Sequence, residues 1–204
     1  LYDESVIRRQ VRMLLGLGLN NLFILYALKA NSNPILLMKI KDEGGGRVGI
    51  DAVSPAEVSL GRQIFPRVVF TGNNLTTEEA LEASQNGAVL NIDSLSLLDR
   101  VGGRISNKEI WIRVNPDVGA GHHEHCITGG PESKFGIWHE LLPAARALAD
   151  KYGLKVTGLH QHIGSGILDA EDFKRATQAM DGLVSHFSDT LEFIDFGGGL
   201  GIPY

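Results

Sequence analysis

"LFILYALKANSNP", residues 22–34, is an apolar strand that runs out without a glycine. Leu22, Phe23, Ile24 and Leu25 have the composition of a buried strand. An open sheet that binds a dinucleotide carries Gly-x-Gly-x-x-Gly directly after its first strand. Here Lys29, Ala30, Asn31, Ser32, Asn33 and Pro34 stand in that place. The other glycine clusters do not rescue that reading. "GGGLGI" at 197–202 has Ile202 where the last glycine belongs, and "GLGLNN" at 16–21 follows a helix.

Outward from this strand, strand-like and helix-like runs alternate. Apolar or β-branched runs lie at 22–28, 47–53, 67–71, 88–92, 109–115, 155–160 and 191–196. Helical patterns lie at 3–17, 34–43, 54–64, 76–86, 94–102, 138–152 and 169–187. "SPAE" at 54–57 reads as a capping box with proline at the first helical position, and "TTEE" at 76–79 resembles one. Alternation without hairpin signals predicts a parallel sheet. With the dinucleotide fingerprint absent, an α/β (β/α)8 barrel is the better reading. Seven βα units leave it one strand short of closure. The chain starts on Leu1 and stops inside "GGGLGIPY", which reads as a fragment. Such a barrel alone would expose two strand edges and should aggregate.

Bulk properties narrow the function. The chain has 204 residues and a net charge of -5, with no run of lysine and arginine, which speaks against a nucleic-acid surface. No apolar stretch has the length of a membrane span, and no signal peptide is visible. The single cysteine, Cys126, cannot form an internal disulfide, which fits a reducing, cytoplasmic setting. The one long irregular stretch, 116–137, is glycine-rich and too long for an ordinary connection.

In a barrel of this kind the chemistry sits at the C-terminal ends of the strands. Those ends carry Lys29; Asp51; Thr71 and Asn73; Asn91 and Asp93; Arg113 and Asn115; His160 and His162; and Gly197, Gly198 and Gly199. Each has a bland reading, such as a lysine reaching solvent or a glycine turn that is only a turn. Their shared rim favours function. "GGGLG" offers backbone N–H groups to a phosphate, and "HIGSG" at 162–166 adds the hydroxyl of Ser165. An imidazole can stack on a ring, and a partly desolvated lysine becomes a nucleophilic amine. An amine, a stacking face and a phosphate cradle together suit pyridoxal 5'-phosphate.

The motifs "YALKAN", "IDAVSPAEV", "TGNN", "IRVNPDVGAG", "HCITGGPESKFGI", "GLHQHIGSG" and "DFGGGLGIPY", in that order, resemble the diaminopimelate decarboxylase family of fold-type III pyridoxal-phosphate enzymes. That family is related to ornithine decarboxylase and alanine racemase. The resemblance implies that Lys29 attaches the cofactor and that Asp51 lies near its ring and Lys29. It implies Arg113 beneath the cofactor, His162 stacked on the pyridine, and Ser165 with Gly197, Gly198 and Gly199 on the phosphate. Lys29 and His162 would be the catalytic pair, with His160 packing in the interior. Lys134 belongs to a motif without an assigned role. The family pattern continues with an eighth strand bearing a Glu-Pro-Gly-Arg-like motif and with a C-terminal β-domain, neither of which is in this chain. Residues 1–204 would be the incomplete barrel domain, inactive alone, of a homodimeric enzyme. Its reaction would convert meso-2,6-diaminopimelate to L-lysine and CO2.

Rival readings remain at this point. Within the superfamily they are a decarboxylase of ornithine, lysine or carboxynorspermidine, and a racemase. Outside it stands a metal-dependent barrel hydrolase using "HHEH" at 122–125, Cys126, His160 and His162, although a His-Glu-x-x-His helix is absent. A non-enzymatic pyridoxal-phosphate carrier is the third.

Overall fold

The computed structural model describes residues 2–119, 130 and 133–202. Its strands are β1 (Ile24–Ala27), β2 (Val48–Ala52), β3 (Val68–Phe70), β4 (Val89–Ile92), β5 (Glu109–Asn115), β6 (Ile137–Trp138), β7 (Lys155–His160) and β8 (Phe193–Asp195). Its helices are α1 (Glu4–Leu15), α2 (Pro34–Gly44), α3 (Pro55–Ile64), α4 (Thr77–Gln85), α5 (Leu95–Val101), α6 (Leu142–Lys151) and α7 (Ala170–Leu183). The chain separates into two compact units, residues 1–90 with 105–107, and residues 91–104 with 108–204.

In the first unit β1 pairs β2, β2 pairs β3 and β3 pairs β4, all parallel. Helices between successive strands are what make parallel pairing possible. Leu37 and Ile40 of α2, Val58 of α3 and Val48 and Ile50 of β2 are buried, while the outward side of α2 carries the apolar Ile35 and Met38 beside Asp42. An ion-pair cluster ties α1 to α2: Arg12 Nε lies 2.8 Å from Glu43 Oε1 and Arg8 Nη1 lies 3.3 Å from Glu43 Oε2.

The two expected caps exchange character. Thr76 and Glu79 form the full reciprocal box, with Glu79 N–H donating to Thr76 Oγ1 and Thr76 N–H donating to Glu79 Oε2. Ser54 accepts from Glu57 N–H, but the Glu57 carboxylate reaches past it to the N–H of Val53 at 2.8 Å.

In the second unit β5 pairs β7 and β7 pairs β8, again parallel, and the two-residue β6 pairs the end of β5. Trp111 of β5 is buried. It lies against Gly158 of β7, where a Cβ would come within 2.4 Å of the indole, and stacks on Phe193 of β8 at 5.6 Å. Gly158 is thus the gap that a tryptophan fills. On the outside, Asp99 of α5 accepts from the Tyr152 hydroxyl at 2.6 Å and from Lys151 at 3.1 Å, joining α5 to the end of α6.

Three details differ from the sequence reading. The first strand stops at Ala27, and Leu28–Ala30 form a turn of 3-10 helix. Helix α6 starts at Leu142, behind a 3-10 turn over His139–Leu141. The expected 169–187 helix changes to 3-10 geometry at Val184.

Candidate active site

Lys29 owes its position to its neighbours. Leu28 is wholly buried, which anchors the 3-10 turn, and Lys29 on that turn is exposed. The sequence reading has it partly desolvated at the barrel mouth. The segment beyond is firmly held. Asn31 Oδ1 accepts from Asn33 N–H at 2.9 Å, and Asn33 Oδ1 accepts from Ile35 N–H at 2.9 Å. Asn33 is therefore the N-cap of α2, with Pro34 at the first helical position. The Tyr26 hydroxyl donates to Asn31 O at 3.3 Å, and burial pushes its phenol above the ordinary value. Asp51 of β2 is half-buried and pairs in register with Ala27, two residues before Lys29. Thr71 N–H donates to Ala52 O at 2.8 Å, and Asn73 is exposed.

The second unit gathers the remaining polar strand ends. Arg113 is buried, with its guanidinium 5.0 Å from the centre of the Phe135 ring, and Lys134 Nζ lies 5.3 Å from the same ring. A weakly hydrated guanidinium suits an aromatic face. Asn115 is buried and grips the backbone of Gly130 twice: its amide nitrogen donates to Gly130 O at 2.9 Å and its oxygen accepts from Gly130 N–H at 3.0 Å. Burial raises the Asp93 carboxyl above its usual range, against the opposing pull of Ser94 and Arg113. His160 is buried, and its Nδ1 lies within hydrogen-bonding distance, 2.8 Å, of the Asn91 amide nitrogen. The loop residues His122–Cys126 lie outside the described residues. Among the described residues no three His, Cys, Asp or Glu side chains come together as a metal site.

After β8 the chain turns through Gly197, Gly198 and Gly199. Gly197 has φ +73° and Gly199 has φ +87°. A Cβ on Gly197 would meet Gln161 O at 2.4 Å, and one on Gly199 would meet Gly164 O at 1.9 Å. The turn is thus wedged against residues 161–165. Two side chains hold it there. Asp195 Oδ1 accepts the Gly197 N–H at 2.8 Å, and His162 Nδ1 accepts the Gly198 N–H at 3.3 Å. Within the turn, the N–H groups of Gly197 and Gly198 thus bond to side chains. A backbone bridge between Ile167 and Leu200 continues the pairing, with Gly201 N–H donating to Ile167 O at 2.8 Å. Desolvation pushes Asp195 up to about 6, and its bond from Gly197 works in the other direction.

Gly198 is the exception in the turn. A Cβ there would meet nothing within 4 Å. The turn therefore has an open side at its middle residue, with the exposed Ser165 on the facing segment, its Cα 3.4 Å from where a Cβ on Gly199 would stand. A glycine turn open at its centre and flanked by a hydroxyl fits a phosphate group. Asp195 and Phe135 escaped the sequence reading. An Asp two residues before a Gly is a turn-forming signal that could have found Asp195.

Residues 3–204 match the family described as pyridoxal-dependent decarboxylase, pyridoxal binding domain. The chain belongs to that family, whose cofactor is pyridoxal phosphate. It is 44% identical over 194 residues to diaminopimelate decarboxylase of Methanothermobacter thermautotrophicus, covering 89% of this chain and 44% of that one. In structure it is similar to a crystal structure of diaminopimelate decarboxylase, with TM-score 0.85 and 34% identity over all of this chain and 48% of the other. A variant diaminopimelate decarboxylase of Helicobacter pylori complexed with L-lysine matches with TM-score 0.86 and 28% identity, over all of this chain and 54% of the other. The fold is thus the parallel α/β barrel portion of the fold-type III decarboxylases, and the chain spans about half the length of the relatives it matches.

Proposed function

We propose that the protein carrying this chain removes CO2 from meso-2,6-diaminopimelate to give L-lysine, with pyridoxal phosphate as cofactor. The observation that carries the reading is the 44% identity with a diaminopimelate decarboxylase across 89% of the chain. The open glycine turn beside Ser165 supports a phosphate-bearing cofactor.

The bound cofactor supplies an electron sink for the pair left behind when CO2 departs. The residues of this chain prepare for that event. From the first unit, Lys29 supplies the attaching amine. The 3-10 turn and the Asn33 cap hold its backbone, and its side chain is exposed. Asp51 supplies a negative charge close in sequence register to that turn. From the second unit, Arg113 supplies a fixed positive charge, steadied by Phe135. His162 offers an imidazole face. Ser165 and the Gly197–Gly199 turn receive the phosphate. We place residues 1–204 in one barrel domain of a cytoplasmic homodimer. Among the described residues no helix is long and apolar enough to cross a membrane.

The test compares kcat/KM of the natural full-length protein for diaminopimelate, ornithine, lysine and carboxynorspermidine. Diaminopimelate should give the highest value, with CO2 and L-lysine in equal amounts. A higher value for another substrate, or racemisation without CO2, overturns the proposal.

A further inference from the structure

We propose that His162 is also a positioning residue for phosphate: its Nδ1 braces the glycine turn while its ring face meets the cofactor ring. The inference rests on the pyridoxal-phosphate reading above and adds a second duty to a residue whose expected duty is stacking alone.

The argument starts from the turn. Gly197 and Gly199 both occupy the left-handed region of backbone space, and three glycines in a row have a large conformational entropy to lose. Left to itself such a segment samples many shapes, and a phosphate would have to order it on binding. Here the ordering is done beforehand by two side chains from neighbouring strand ends. Asp195 takes the N–H of Gly197, and His162 takes the N–H of Gly198. The second bond spans 36 residues, from the end of β7 to the end of β8. It fixes the one glycine whose Cα faces open space.

The bond also fixes the state of the imidazole. A nitrogen that accepts an N–H carries no proton, so this bond is made by the ring tautomer protonated on Nε2. The half-buried ring is held by the same contact that holds the turn. Its orientation and the shape of the phosphate site are therefore one setting. A stacking residue alone would affect pyridoxal and pyridoxal phosphate equally. A brace for the turn would affect only the phosphorylated form.

The test uses the natural full-length protein freed of cofactor and measures dissociation constants for pyridoxal phosphate and for pyridoxal. His162→Phe keeps a flat ring and removes the acceptor. It should weaken pyridoxal phosphate about fivefold, the typical worth of one hydrogen bond, and leave pyridoxal within about twofold. His162→Asn keeps an acceptor at the position of Nδ1 and removes the ring. It should weaken both ligands by the same factor. The inference is overturned if His162→Phe keeps the wild-type preference for the phosphorylated form. It is equally overturned if His162→Asn loses that preference, a result still readable should the Phe variant not fold. Failure of the unaltered protein to bind pyridoxal phosphate would sink the cofactor reading itself, a different outcome from either.

Discussion

The chain leaves β1 and β8 in opposite ways. After β1 the backbone is regular: a 3-10 turn, an Asx turn and a capped helix, each using ordinary L-residue geometry. Lys29, which we propose as the attaching amine, is exposed on that support. After β8 the backbone itself is the element we propose for phosphate binding. Left-handed glycines make the shape, and side chains from elsewhere, Asp195 and His162, hold it. Where a side chain does the chemistry, many backbones can present it. Where the backbone does, each residue of the turn is constrained separately.

The largest expected effect lies on the β1 side. Lys29→Ala should lower kcat by at least about a thousandfold, in line with the loss of a covalent participant, and should leave thermal stability nearly unchanged. Borohydride treatment of the unaltered holoenzyme, followed by peptide mass analysis, should find the cofactor on the peptide containing Lys29. Label on another lysine would break the contrast at its root.

Next come the glycines. Gly199→Ala combines a left-handed φ with a Cβ driven into Gly164 O, and should cost on the order of 3 kcal/mol in urea unfolding. Gly198→Ala should leave stability within about 0.5 kcal/mol, yet weaken pyridoxal phosphate by filling the open side of the turn. Equal stability losses at the two positions would show that the turn is not built residue by residue. A smaller loss belongs to the capped side: Asn33→Ala should cost about 1 kcal/mol, as other cap removals do.

The last effect is a pH dependence. The folded chain holds the Asp195 proton up to about 6, whereas an unperturbed aspartate releases it at 3.8. The folded state therefore binds more protons across that window, and this group's contribution to stability falls as pH rises through it. Asp195→Asn keeps an acceptor for Gly197 and removes the charge, so its stability should be flatter between those values. An unchanged slope would assign the pH dependence elsewhere.

The contrast also explains what could be read from sequence. Apolar runs mark each strand of more than two residues among the described residues; for β2, β3, β4, β5 and β7 the signal is burial on both faces of a parallel strand, whereas β1 and β8 are only partly buried. Ile137–Trp138 has no period to detect. The 3-10 turn at Lys29 depends on the burial of Leu28, which a local reading does not reveal. In the candidate site, residue types were legible and directions were not. His162 was marked for its ring, but the partner of its Nδ1 lies 36 residues away. Asn115 was marked as a rim residue, but its grip on Gly130 is a tertiary fact. Asp195 carries a local signal, an aspartate two residues ahead of a glycine.

Trp111 gives the second unit a built-in optical reporter. The indole is 2% exposed, lies over Gly158 and stacks on Phe193, the first residue of the strand that leads to the glycine turn. Its emission should be blue-shifted while β8 is docked and should move red when that strand leaves. The other tryptophan, Trp138, is half-buried beside His139, so a Trp138→Phe background isolates the signal. In a stopped-flow trace the arrival of β8 then becomes visible as a change of colour, separately from the formation of the rest of the chain.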